Sequence, residues 1–488
     1  MPMSHNTLTS ELKDIFKDIE THLDEHILTL RKLVQQPSVS AQSLGTRACA
    51  EMLAASLRDL GCTNVELVDT SGEPLVYAEL DSGAPHTLLI YHMYDVQPAE
   101  EAGWSVEPFA GAVIQHEQFG RCLVARGAKN SKGPLQAFLN AVESIIRVRQ
   151  ALPVNLVFVI EGEEELGSPH LDEFAIRYES RLRKADAVLF PYAMQEYDGR
   201  AILWPGTKGL VYLEIECSGQ RWTRGPRKFS LHSSYKAIID SPAWRLVHAL
   251  SSLTSEDGNT VQIDGFYDAV RAPTAAEEHL VTSLVGRFRE EAFRQLWHVD
   301  HFVHDLHGLE LLRRYFFSPT LNIDGLDAGY TGPGSKTVLP HRAVAKLDVR
   351  LVPDQEPNTI LELLARHFRT LGYDDLEIRK LASNPWAQTD ADAPIVQSVA
   401  QAIRHLGMDP EIWPRNVGFF PAYVFNRAPL HLPFCVGGLG HGGRAHGPDE
   451  YFVLDGNARI RGLAGCEQSF AAMLFAYRDL MTEDAGRH

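Results

Sequence analysis

The chain has 488 residues, with 46 basic against 63 acidic side chains and a formal charge of −17. That balance argues against a nucleic-acid backbone or an anionic membrane as partner, because both reward a basic face. Hydrophobic residues at 44% and charged ones at 22% describe a chain able to bury a core, and at roughly 150 residues per domain its length implies two or three domains.

The six cysteines, Cys49, Cys62, Cys122, Cys217, Cys435 and Cys466, lack any CxxC spacing, which argues against a disulfide framework or a thiolate zinc site. A reducing compartment fits best. The N-terminus shows no cationic segment followed by an apolar stretch, and no apolar run approaches about 18 residues, so the expectation is a soluble, cytoplasmic protein.

Residues 9–34 place apolar groups at three- and four-residue intervals, as an amphipathic helix requires, and a second helical stretch spans Thr46 to Leu60. Short apolar runs then alternate with helical patterns, the rhythm of a sheet covered by helices. The runs are TLLIY (87–91), VNLVFVI (154–160), DAVLF (186–190) and LPFCVGG (432–438), followed by HMYD, EGEEE, PY and GLGHGGRAH. In open α/β sheets ligands bind outside the carboxyl ends of strands, so four runs ending this way predict one shared site. From 210 to 382 the pattern changes to strands of alternating character with helices between them, VYLEIE and KLDVRLV included. This predicts an inserted α+β domain at 210–382, flanked by the two parts of the first domain at 1–209 and 383–488.

Glu161, Glu163, Glu164 and Glu165 put four carboxylates into five residues directly after a buried-looking strand. An acidic helical turn favoured by the macrodipole would look the same. A metal site is the alternative: one carboxylate coordinates the cation while its neighbour takes a proton from bound water, and the position after the strand favours this reading. His92 and Asp95 in HMYDVQP could be an imidazole and its orienting carboxylate. His446 lies beyond the fourth run, beside a glycine-rich stretch that permits close backbone approach. RGAKNSKG (126–133) is neither a Walker loop nor a dinucleotide fingerprint.

Taken in order, HMYDVQP, Trp104 with EPF (107–109), RGAKNSKGP, EGEEELGSPHL, LHSS, DVRLVPDQEP and AHGPDE resemble the co-catalytic zinc aminoacylases, dipeptidases and carboxypeptidases, the carnosinase, acetylornithine deacetylase and succinyl-diaminopimelate desuccinylase family. The resemblance implies an α/β fold, with a mixed-sheet zinc-peptidase-like catalytic domain and an inserted α+β lid or dimerisation domain. It places the general base on Glu164, metal ligands on Glu165 and His446, and the His-orienting aspartate on Asp95. His232 matches a lid histidine that reaches a neighbouring subunit's site and steadies an oxyanion, which implies a homodimer through the inserted domain; Arg350 matches a substrate-anchoring arginine.

The departures are more informative. Met93 stands at one ligand histidine, Asn130 at the bridging aspartate and Tyr192 at a further aspartate ligand. One cation has lost both private ligands, while the other keeps Glu165 and His446. This implies one divalent ion per subunit, Zn²⁺ or Mn²⁺, on Glu165 and His446 with Asn130. Two other arrangements remain open: His92 swings inward to restore a second site, or Lys129 fills the vacated charge position. Phe419 stands where relatives carry a small polar side chain for the substrate carboxylate, so with Tyr192 it predicts a more aromatic pocket. The expected chemistry is hydrolysis of an amide or dipeptide-like C–N bond of a small-molecule substrate. Hydrolytic deamination of an aromatic amine and a non-catalytic binding role are the alternatives.

Overall fold

The computed structural model of the chain describes residues 5–485. They form two compact units, one comprising residues up to Gly206 with Gln388–Pro414 and the chain from Phe420 onward, the other Thr207–Ala387 with Arg415–Phe419.

The first unit is built on a six-stranded mixed sheet in the order Thr63–Val68, Leu75–Leu80, Asn155–Glu161, Thr87–Met93, Ala187–Pro191 and Phe434–Gly437. Its last four strands run parallel and correspond to the four apolar runs of the sequence. Buried on both faces, they read as unbroken hydrophobic stretches rather than as alternating ones. Register sets the site: Met93 pairs with Glu161 and Gly437 with Pro191, so the polar segments after all four strands emerge at one edge of the sheet.

Helices Thr46–Asp59, Lys132–Arg149 and Pro394–His405 pack against these strands. Lys132–Arg149 also receives Leu463–Ala485 and the N-terminal pair, His5–Thr21 and Leu23–Gln35. The single amphipathic helix expected over 9–34 is thus two helices, interrupted at His22, where φ −99° and ψ 11° leave the helical region. Where these helices meet, His26 bonds Glu467 at 2.8 Å and Asn140 donates to the same carboxylate at 2.8 Å, all three side chains buried. All six cysteines are free and buried.

The second unit carries a four-stranded antiparallel sheet ordered Thr320–Ala328, Arg342–Leu351, Gly209–Ser218 and Glu377–Asn384. Gly209–Ser218 alternates strictly between buried and half-buried residues, because one face packs under helices Pro242–Ser251 and Pro357–Thr370. The unit exceeds the expected 210–382 at both ends. Leu210 pairs with Asn384, which carries the last strand past 382, and Lys208 donates its amide to Asn416 O at 3.0 Å, which draws in residues 415–419. No helix among the described residues is long and apolar enough to cross a membrane.

Phe158, fully buried in the middle of the first unit's sheet, meets Phe138 edge-on at 6.3 Å. Phe158→Ala is expected to cost about 3–5 kcal/mol, the usual range for an aromatic cavity, read as a lower denaturant midpoint for the first unit's unfolding. A loss under about 1 kcal/mol would contradict this assignment of the core.

Candidate active site

The strand Asn155–Glu161 ends in a turn of 3₁₀ helix, Glu164–Leu166, whose amide groups need acceptors. Asp95, fully buried after the neighbouring strand, supplies them. Its Oδ1 accepts from Glu164 N at 3.1 Å and its Oδ2 from Glu165 N at 3.0 Å, while Ser40 Oγ donates to Oδ2 at 2.8 Å. Burial, followed by the Glu165 carboxylate, pushes the Asp95 carboxyl up to about 7 in spite of these bonds. Asp95 therefore orients the paired glutamates rather than an imidazole. The ligand position it would have served holds Met93.

Glu164 and Glu165 divide in surroundings as well as in sequence. Burial first, then the carboxylates of Glu165, Asp95 and Glu161, hold the Glu164 carboxyl well above the usual carboxylate range. Glu165 is enclosed by amides: Gln97 Nε2 donates to Oε2 at 2.8 Å and Asn130 Nδ2 to Oε1 at 2.6 Å. His446, at φ +67°, brings its Nε2 to 3.0 Å from Asn130 Nδ2 and 3.3 Å from Glu165 Oε2. The hydrogen bond to Glu165 raises the His446 pKa against the opposing effect of burial.

Asn130 is the hub. Its Nδ2 donates to Glu165 and lies 3.0 Å from His446 Nε2, while its Oδ1 accepts from Tyr192 Oη at 2.5 Å. Its backbone is fixed by Glu450, whose carboxylate takes the amides of Gly127, Lys129 and Asn130 at 3.0, 2.8 and 2.7 Å and pairs with buried Arg126 at 3.0 Å. Arg126 in turn lies 5.2 Å from the centre of the Trp104 ring. Lys129 places its ammonium 4.0 Å from the centre of the Tyr192 ring and donates to Ala193 O at 2.9 Å. Burial lowers its pKa to about 8.

Other expected residues stand elsewhere. His92 does not swing inward: fully buried, it sets Nε2 3.1 Å from Pro191 O and takes Met93 N–H on Nδ1 at 3.0 Å. Burial lowers its pKa to about 3, so it is a neutral, internally satisfied imidazole. In the second unit, exposed His232 bonds Ser234 Oγ and Thr337 Oγ1 at 2.8 and 2.9 Å, and Arg350 Nε donates to Asp348 at 2.7 Å. Phe419 is half-buried in the same unit, whereas Phe420 is a core residue against Phe190 and Phe434 of the first.

The site also includes two residues that the sequence does not mark, Gln97 in HMYDVQP and Glu450 at the end of AHGPDE.

Among the described residues, no group of three or more His, Cys, Asp or Glu is placed to share a cation. The donors present do fit one ion if Asn130 is counted. Turning its amide over would aim Oδ1 at Glu165 and His446 and let Nδ2 donate to Tyr192 Oη, which can accept. Carboxylate, imidazole and amide oxygen then face one point, a set suited to zinc or manganese with a position left for water.

The sequence matches peptidase family M20/M25/M40 over residues 89–474. A Beta-Ala-His dipeptidase of Mus musculus is 28% identical over 82% of this chain and 83% of its own length, and a Cys-Gly metallodipeptidase of Candida albicans 30% identical over 76% of each. Among solved structures, an M20 family metallo-carboxypeptidase from Sulfolobus solfataricus is 31% identical with a TM-score of 0.81, covering 93% of this chain and 98% of that one. The dipeptidase Dug1p from Saccharomyces cerevisiae is 25% identical with a TM-score of 0.80, covering 98% and 99%.

Glu161, buried behind the site, accepts from Tyr91 Oη at 2.5 Å and Ser168 Oγ at 2.9 Å, and burial pushes its pKa up to about 8. The folded protein then holds a proton that the unfolded chain has released, so Glu161 makes stability fall as pH rises from the ordinary carboxylate value to about 8. Denaturant midpoints measured across that window should decline less steeply in Glu161→Gln than in the unaltered protein. Parallel profiles would contradict the assignment.

Proposed function

This chain belongs to peptidase family M20/M25/M40 and is a hydrolase of C–N bonds, and on that premise we propose that it cleaves a small amide or dipeptide-like substrate with one divalent ion per subunit, zinc or manganese, held by Glu165, His446 and the Asn130 carbonyl oxygen. The observation that carries this reading is the convergence of those three side chains within hydrogen-bonding distance, while Met93 and Tyr192 occupy the positions matched to the other ion's private ligands.

Such an ion, when bound, supplies Lewis acidity toward water and the scissile carbonyl. The chain's own residues do the rest. Glu164, whose carboxyl is held above the usual carboxylate range by burial and by three neighbouring carboxylates, takes a proton from the attacking water and passes it to the leaving nitrogen. Asp95 holds the Glu164–Glu165 turn through two backbone amides, and so sets the angle between base and ligand. Tyr192 anchors the Asn130 amide from the far side.

In the inserted unit, Arg350 anchors the substrate, and His232 steadies the oxyanion in the partner subunit of a homodimer. Dimerisation through that unit is supported by its exposed apolar groups, Trp244 at 58% on helix Pro242–Ser251 and Leu326 at 52% on the edge strand Thr320–Ala328. Six free cysteines fit a reducing cytoplasm.

Tyr192 and half-buried Phe419, in place of an aspartate and a small polar residue, favour a second reading, hydrolytic deamination of an aromatic amine by the same groups. Turnover of a panel of dipeptides, N-acyl amino acids and aryl amines separates the two. On whichever substrate is turned over, Glu164→Gln should lower kcat by about 10²–10⁴-fold with KM little changed. Undiminished turnover would remove Glu164 from the role of base.

A further inference from the structure

The second unit carries an open cavity of about 300 Å³ whose lining combines two chemistries. Three cations, Lys208, Arg314 and Arg350, line it together with the apolar Phe302, Leu306 and Leu311, and no carboxylate is among the described lining residues. Two of these cations, Lys208 and Arg314, are held by partners that leave their positive charge over. Lys208, only 3% exposed, donates to Ser318 O at 2.8 Å, and Arg314 donates to Asn259 O at 2.8 Å. Backbone carbonyls orient a cation without neutralising it.

The nearby acids are paired with guanidinium groups and leave Lys208 and Arg314 without a carboxylate partner among the described residues. Arg350 is paired with Asp348, which also faces Asp324, and Arg415 is paired with Glu277. Burial, then Arg415, Arg350 and Arg314 in that order, lower the Lys208 pKa to about 7. A buried ammonium facing guanidinium groups is unfavourable for folding alone, and strained arrangements of this kind are characteristic of ligand sites. An anion placed between these groups would relieve the repulsion.

We propose that this cavity binds a carboxylate bearing an apolar, phenyl-sized group, the anion between Lys208 and Arg314 beside Arg350 and the apolar group against Phe302, Leu306 and Leu311. The volume lies at the lower end for small-molecule pockets, and apolar walls with a few fixed polar groups are their usual make-up. This deepens the substrate-anchoring role given to Arg350 and rests on that reading for Arg350 alone. Lys208 and Arg314 add the charge, and the aromatic and aliphatic walls add the selection for an apolar tail.

Isothermal titration of the full chain with 3-phenylpropionate, which has no amide to hydrolyse, tests it directly. The acid should bind at least about tenfold more tightly than 3-phenylpropionamide or propionate, since each control lacks one half of the recognition. Lys208→Met and Arg314→Gln should each weaken the acid at least about fivefold, the loss of a charge-assisted contact. Arg314 is half-buried, so its variant keeps the test decisive if Lys208→Met fails to fold. Glu165→Ala should leave binding within about twofold even if it abolishes turnover, which separates this cavity from the proposed metal centre. Absence of binding, equal affinity for acid and amide, unaltered affinity in the folded variants, or loss of binding in Glu165→Ala would each overturn the proposal.

Discussion

Everything chemical in the first unit hangs on one amide. Asn130 Nδ2 stands between Glu165 and His446, and Tyr192 Oη holds the other end of the same group. A neutral amide can do both jobs here: as a donor it satisfies the Glu165 carboxylate, and turned over it offers a ligand oxygen beside Glu165 and His446. A carboxylate at that position would accept only, and would repel Glu165.

The scaffold makes the placement of that amide unavoidable. Four parallel strands in register deliver their polar ends to one edge of the sheet. Two buried carboxylates then fix the loops from beneath: Asp95 through the amides of Glu164 and Glu165, Glu450 through those of Gly127, Lys129 and Asn130. Backbone amides directed at a carboxylate make strong, charge-assisted bonds, so the side chains projecting from those loops are positioned by the main chain rather than by one another. The second unit follows a different logic, with an antiparallel sheet and one helical cover, and its charged cavity is assembled from distant segments, Lys208, Arg314 and Val417 among them.

Much of this was legible in the sequence. Unbroken apolar runs marked the buried parallel strands, and the polar segments after them marked the site edge. The glutamate pair, Asn130, Tyr192 and His446 were found by matching motifs, and the structure brings all of them together. What stayed hidden were facts of orientation. Whether His92 turns outward or inward depends on which backbone atoms reach its ring, and Met93 N–H and the Pro191 carbonyl claim both nitrogens. Asp95 was matched to an imidazole by motif, but its geometry gives it the Glu164 and Glu165 amides. Residues 415–419 join the second unit through hydrogen bonds to Thr207 and Lys208, which no local pattern announces.

The central claim is that the amide hub serves a single cation. Elemental analysis of the purified full chain, equilibrated with zinc or manganese and then freed of loosely held metal, reads this directly. The account predicts about one ion per chain, lost in both Glu165→Ala and His446→Ala. Two tightly held ions, none, or one that survives both substitutions would contradict it.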